Sequence, residues 1–160
     1  MIYHIEIGYK PNILDALGES INKDIHDLGI KQVTKVKSVQ LYKIDADLNF
    51  AQIDEICRKL LTDPITQDYR INQCLEPDHD QKHIVVEVWF KKGVTDAVGD
   101  TVITGARDLG LRGNLASVHT GTKYLLYGPQ AGHAEAEMIA RKLLANSIVQ
   151  DYNLSIGKTE

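Results

Sequence analysis

The chain contains one motif twice, and that repetition limits its fold more than any other feature. Arg58-Lys59-Leu60-Leu61-Thr62-Asp63-Pro64-Ile65-Thr66-Gln67-Asp68-Tyr69 returns as Arg141-Lys142-Leu143-Leu144-Ala145-Asn146-Ser147-Ile148-Val149-Gln150-Asp151-Tyr152, with 8 of 12 positions identical. Upstream, Asp15, Gly18, Leu28 and Gly29 recur as Asp96, Gly99, Leu109 and Gly110 at a spacing of 81 residues, which has grown to 83 at the C-terminal motif. Self-similarity at a fixed period marks a duplicated structural unit. The division is 1–72 and 84–160, joined by a polar linker, 73–83, that contains Pro77 and three acidic residues. One unit of ~72 residues buries only about 60% of the surface its unfolded chain exposes, whereas ~150 residues bury about 70%. The halves are therefore expected to pack together as a pseudo-two-fold dimer within one chain.

Both units predict the same elements. Ile5, Ile7 and Tyr9 alternate along a first strand, as do Val86, Val88 and Phe90. A helix follows, with Leu14, Leu17, Ile21, Ile25 and Leu28 at helical spacing up to Gly29, matched by Val98, Val102, Ala106 and Leu109 up to Gly110. A hairpin-like region spans Val33 to Ala46 and Leu115 to Tyr127, with Gly121-Thr122 as a turn signal in the second unit. A second helix carries Ile53, Ile56 and Leu60, or Ala136, Ile139 and Leu143, and a last strand runs through Tyr69 or Tyr152. The order β-α-β-β-α-β is that of a ferredoxin-like split βαβ, so the expected class is α+β with two such units.

Composition narrows the function. Of the 160 residues 43% are hydrophobic and 25% charged, which suits a folded globular chain. The 18 basic against 22 acidic residues give a net charge of −4, which disfavours nucleic acid as a partner. Trp89 and Phe90 beside Lys91 and Lys92 do not make a base-stacking platform, because Phe90 belongs to the apolar set and Trp89 stands alone on the other side. Glu6 interrupts the apolar N-terminal stretch, so neither a signal peptide nor a membrane anchor is expected, and the two cysteines form no C-x-x-C pair, which fits the cytoplasm.

Candidate chemistry is sparse. Cys57 lies on the apolar side of the second helix and is expected to be a packing thiol; Cys74 falls in the linker. No phosphate-cradling G-x-x-x-x-G-K-[ST] loop occurs. Asp78, His79, Asp80 and His83 offer metal-ligand atoms, but without a rigid scaffold they are expected to form a solvated linker. Glu6 and Glu87 occupy equivalent strand positions, where one wet face commonly carries a charge. His4, Glu6, Gly8, Val85, Glu87 and Trp89 form an outward set that is partly apolar and expected to stack on the other half or on a partner. No catalytic, cofactor-binding or metal-binding residue is expected.

Lys91-Lys92-Gly93-Val94-Thr95-Asp96-Ala97-Val98-Gly99, the helix end Leu109-Gly110, Gly121-Thr122-Lys123-Tyr124 and Leu143 to Tyr152 resemble the PurS family, the small subunit of phosphoribosylformylglycinamidine synthase. That family shows K-x-G-V-x-D-x-x-G, then V-R-x-G-K-x-I, then L-L-x-N-P-V-I-x-D-Y. The first unit resembles it through Lys10, Asp15, Gly18, Leu28, Gly29 and Leu60 to Tyr69, with Pro64 at the family proline where the second unit has Ser147. It departs at Lys37-Ser38-Val39-Gln40-Leu41, and the second unit has His119 for the arginine and an added Thr122. Since family members are generally single units that dimerise, the tandem resembles a fused dimer. The resemblance implies a non-catalytic assembly subunit of an ATP-dependent, glutamine-hydrolysing ligase of purine biosynthesis. Its implied partners are a PurL-type synthetase and a PurQ-type glutaminase, with further self-association possible; no nucleic acid or membrane is among them. The alternative is a tandem ACT-like module that binds a small effector between its halves. Because only the second unit keeps a glycine in the family-like turn, His119, Gly121, Thr122 and Lys123 are the expected partner contact, with Lys123 as a point charge for an acidic surface.

Overall fold

The computed structural model describes residues 1–75, 81–111 and 115–157. The first repeat gives β1 (Ile2–Tyr9), α1 (Ala16–Asp27), β2 (Lys35–Ala46), α2 (Phe50–Ile56) running into a π-helical turn (Cys57–Leu61), and β3 (Gln67–Ile71). The second gives β4 (His83–Phe90), α3 (Ala97–Asp108), β5 (Leu115–Tyr127), α4 (His133–Ile139) with its π-helical turn (Ala140–Leu144), and β6 (Gln150–Ile156). The class is α+β, and the strands hydrogen-bond in the order β3-β1-β2-β5-β4-β6. β1 is antiparallel to β2 and β3, and β4 to β6.

The expected hairpins are absent. In their place are two uninterrupted strands, β2 of 12 residues and β5 of 13. Tight hairpin turns require a positive φ, and the described residues that take one are Asn12, Asn72, Gly29, Gly93 and Gly110, not Gly121. Without such a turn, alternating side chains carry the strand straight on.

This straightness decides which residues share a core. The chain forms two compact units, Met1–Ile13 with Gln40–Leu75 and Gly93–Gly121, and Leu14–Val39 with Glu76–Lys92 and Thr122–Glu160. Each therefore takes parts from both repeats, so a sequence repeat is not a packing unit. The first core joins Ile5, Ile7, Ile44, Ile53, Ile56 and Leu61 to Val102, Ala106, Leu111 and Val118 of the second repeat. The second joins Val86, Val88, Leu126, Ile139 and Leu144 to Ile21, Ile25, Ile30, Val33 and Val36 of the first. Each unit still holds two helices and four strand segments, the content of one ferredoxin-like unit.

The helix stripes are narrower than expected. On α1 only Gly18, Ile21 and Ile25 are buried, while Leu14, Leu17 and Leu28 are exposed; on α3 Gly99, Val102 and Ala106 are buried and Val98 is exposed. A glycine at the contact brings the helix backbone onto the strand, which leaves the flanking leucines outside the seam.

Residues 1–75 expressed alone lack α3, Leu111 and Val118, which close the first core. This fragment is expected to be unfolded or self-associated, since burial of ~25 cal/mol per Å² of that apolar surface is missing. Light scattering combined with circular dichroism checks it; a folded monomer as stable as the whole chain would contradict the shared cores.

Candidate functional site

The duplicated D-x-x-G motif builds the same polar clamp in each unit. Asp15 caps α1, its Oδ1 accepting the Gly18 N–H at 2.9 Å and the Ser38 hydroxyl at 2.8 Å, while Oδ2 accepts the Ser38 N–H at 2.6 Å. Asp96 does the same for α3, accepting from the Gly99 N–H at 2.9 Å, the Thr120 N–H at 2.6 Å and the Thr120 hydroxyl at 2.9 Å. One carboxylate thus satisfies a helix N-terminus and pins it to a strand, where the helix dipole also favours negative charge. The glycine is required by space: a Cβ on Gly18 would collide with the Val36 carbonyl oxygen, and one on Gly99 with that of Val118. Beside each clamp sits a tyrosine. Burial pushes the Tyr42 hydroxyl above its ordinary value, with Asp96 adding to it; burial does the same at Tyr124, where a hydrogen bond with Thr122 opposes the rise and Asp15 assists it.

The segment expected to be a contact turn is a stretch of β5. His119 is exposed, Gly121 and Thr122 are half-buried, and Lys123 is only 8% exposed. Alternation puts His119, Gly121 and Lys123 on one face, and Thr120, Thr122 and Tyr124 on the face that carries the clamp. Thr122, an insertion in the sequence reading, therefore belongs to the clamp's surroundings, and Lys123 is not a solvent-facing charge.

The C-terminal motif serves the fold. The Asp63 side chain accepts the Ile65 N–H at 2.9 Å and Gln67 accepts the Asp63 N–H at 2.9 Å; Asn146, Ile148 and Gln150 repeat both bonds at 3.1 and 2.9 Å. Tyr69 donates its hydroxyl to Asp54 at 2.5 Å, and Tyr152 donates to Glu137, tying each last strand to the preceding helix. The side-chain turn accommodates Pro64 in one repeat and Ser147 in the other, since neither supplies its hydrogen bonds.

The remaining candidates have local roles. Cys57 is fully buried, and its thiol is pushed up to about 12 by burial, with Asp54 adding to it; Cys74 is exposed. Glu6, expected on a wet face, is buried and accepts the Leu75 N–H at 2.9 Å, while Glu87 accepts the Trp89 indole N–H at 3.3 Å. Phe90 is exposed at its strand end. His83 is no linker residue but opens β4, buried, with Nδ1 3.1 Å from the Gln81 carbonyl oxygen and its ring 5.1 Å from that of Tyr127. Asp78, His79 and Asp80 lie outside the described residues. The described residues hold no group of three metal-ligating side chains, and no helix among them is long and apolar enough to cross a membrane.

Sequence reasoning missed two constellations. One is the clamp, which the repeated Asp-x-x-Gly ahead of an apolar helix could have signalled. The other surrounds Tyr127, which is fully buried yet outside both cores, with Lys35 Nζ 5.5 Å and Lys37 Nζ 6.0 Å from its ring centroid. Cations over an aromatic face gain from its quadrupole, but no spacing in the sequence points to this grouping.

A sequence profile of the family described as PurS, phosphoribosylformylglycinamidine (FGAM) synthase, matches residues 2–74 and again 83–158. Phosphoribosylformylglycinamidine synthase subunit PurS of Archaeoglobus fulgidus is 36% identical over 76 residues, covering 44% of this chain and 95% of that protein. The crystal structure of Methanocaldococcus jannaschii PurS, a subunit of formylglycinamide ribonucleotide amidotransferase, aligns at 26% identity over 47% of this chain and 98% of that one, with a TM-score of 0.41.

Two measurements check the local chemistry. Gly18→Ala and Gly99→Ala should each lower stability in urea by about 1–3 kcal/mol through overpacking, and unchanged midpoints would show that the helix can withdraw. In the folded chain at pH 8, alkylation should modify Cys74 rapidly and Cys57 only on unfolding, because a thiol raised to about 12 carries almost no thiolate there.

Proposed function

The chain belongs to the PurS family, and from that premise we propose that it is the non-catalytic assembly subunit of phosphoribosylformylglycinamidine synthase in purine biosynthesis. It supports the complex of an ATP-dependent, PurL-type synthetase and a PurQ-type glutaminase in the cytoplasm, and the passage of ammonia between them. The observation that carries this reading is that each repeat matches the family separately, and together the two segments span nearly the whole chain. One chain thus supplies twice what a single-repeat relative contains.

The chemistry of the side chains is consistent with a scaffold. A glutaminase nucleophile needs an activated, accessible thiol, whereas Cys57 is enclosed and held protonated. The two most elaborate carboxylate sites, Asp15 and Asp96, are occupied by backbone and hydroxyl donors of their own strands. Of the segment His119, Gly121, Thr122 and Lys123, the partner contact runs along the face of β5 that carries His119, Gly121 and Lys123, with Thr122 behind it on the clamp face. His119 is the exposed member that meets the partner, and Lys123 supports the strip from its buried position.

Reconstitution with the synthetase and glutaminase tests the proposal. Glutamine-dependent amidine formation should require this chain, and the chain alone should hydrolyse neither glutamine nor ATP. His119→Glu should leave stability within about 0.5 kcal/mol, as for an exposed site, and weaken binding to the partners by at least tenfold, about 1.4 kcal/mol. Full glutamine-dependent activity without the chain would overturn the function; unchanged affinity in His119→Glu would remove the 119–123 contact.

A further inference from the structure

The two repeats end in equivalent strands at the two edges of the strand order, and those edges differ. An open strand edge offers unpaired N–H and C=O groups to another chain, so natural proteins usually blunt it with charge or brevity. β3 is blunted. It has five residues, two of them charged, and Arg70 Nη1 donates to the Tyr69 carbonyl oxygen at 3.0 Å. The bonds Lys10 N–H to Thr66 O and Asn72 N–H to His4 O make the even-numbered residues of β3 face β1, so the Tyr69 carbonyl points outward and the guanidinium covers it.

Among the described residues, none covers β6 in this way. It is seven residues long, with Asp151 as its single charge, and Asn153 stands where β3 has Arg70. Its ladder to β4 is framed by Lys91 N–H to Val149 O at 2.8 Å and Gly157 N–H to His83 O at 3.0 Å. Odd-numbered residues therefore bond inward, and Gln150, Tyr152, Leu154 and Ile156 turn their backbone groups outward. Ile156 is 75% exposed.

We propose that this edge pairs with the β6 edge of a second copy of the chain, antiparallel about a two-fold axis at Asn153. An antiparallel pair must match outward groups with outward groups, and the register centred on Asn153 alone uses all seven residues. It sets Gln150 opposite Ile156, Tyr152 opposite Leu154, and Asp151 opposite Ser155, so no like charges meet. Each outward-facing pair exchanges two backbone hydrogen bonds, and the contact is isologous, so it closes at a dimer. The proposal does not depend on the assignment of function.

Sedimentation equilibrium of the full chain tests it. The wild type should dimerise reversibly. Asn153 is exposed and bonds inward, so Asn153→Lys and Asn153→Asp should keep the melting temperature. Each should nevertheless weaken dimerisation by at least tenfold, because like charges then face each other at the axis. Mixing the two variants should restore association as a heterodimer, which neither simple destabilisation nor a different interface would do. Ile156→Pro should also weaken the dimer, and Arg70→Glu at the blunted edge should not. A wild type that stays monomeric, variants that dimerise normally, or a mixture that fails to recover would each overturn the proposal.

Discussion

The architecture depends on how closely each long helix approaches its strand, and one carboxylate per unit sets that approach. Asp15 and Asp96 accept from the helix end and from a strand residue 23 or 24 positions away. Bonds to an ionised acceptor are among the stronger ones available. They operate only because Gly18 and Gly99 let the helix backbone reach the strand carbonyl. With the distance fixed, a narrow stripe of Ile21 and Ile25, or Val102 and Ala106, suffices to seal the core.

The long strands then distribute the repeats between the cores. Because β2 and β5 continue through the position of a hairpin turn, the first half of each strand belongs to one compact unit and the second half to the other. A helix that precedes such a strand is delivered to the unit that holds the strand's first half. This is why α1 contributes Ile21 and Ile25 beside Val86 and Val88, and α3 contributes Val102 and Ala106 beside Ile5 and Ile7. The exchange follows from a local fact, the absence of a positive φ between residues 35 and 46 or between 115 and 127.

Much of this was legible in the sequence, within limits that have physical causes. The number, type and order of helices and outer strands followed from hydrophobic periodicity, which reports burial of one face. Periodicity carries no information on whether a strand of alternating residues turns back, and Gly121-Thr122 looked like a turn because glycine permits one without requiring it. The same error displaced the candidate contact, since a loop lysine is solvated and a central-strand lysine such as Lys123 is not. Glu6 was misplaced for a related reason: its outward strand face meets the backbone of Leu75, a long-range partner that no local pattern encodes. The clamp was half visible, because N-capping by Asp15 and Asp96 is local while the bonds to Ser38 and Thr120 are not.

Duplication within one chain explains where the copies can differ. Positions that build the clamp and the C-terminal turn serve the fold twice and are either identical, as Asp15 with Asp96, Gly18 with Gly99, Gln67 with Gln150 and Tyr69 with Tyr152, or keep the same hydrogen-bonding group, as Ser38 with Thr120 and Asp63 with Asn146. A single-repeat protein that assembles with itself must present identical edges, because every substitution appears in both subunits. A tandem chain is released from that symmetry. It can place Arg70 on one edge and Asn153 on the other, or Tyr127 in one repeat where the equivalent residue is Asp45, without altering either clamp. Shared hydrogen-bonding chemistry at matched positions therefore marks what both units need, while a difference such as Arg70 against Asn153 marks a place where the two need not agree.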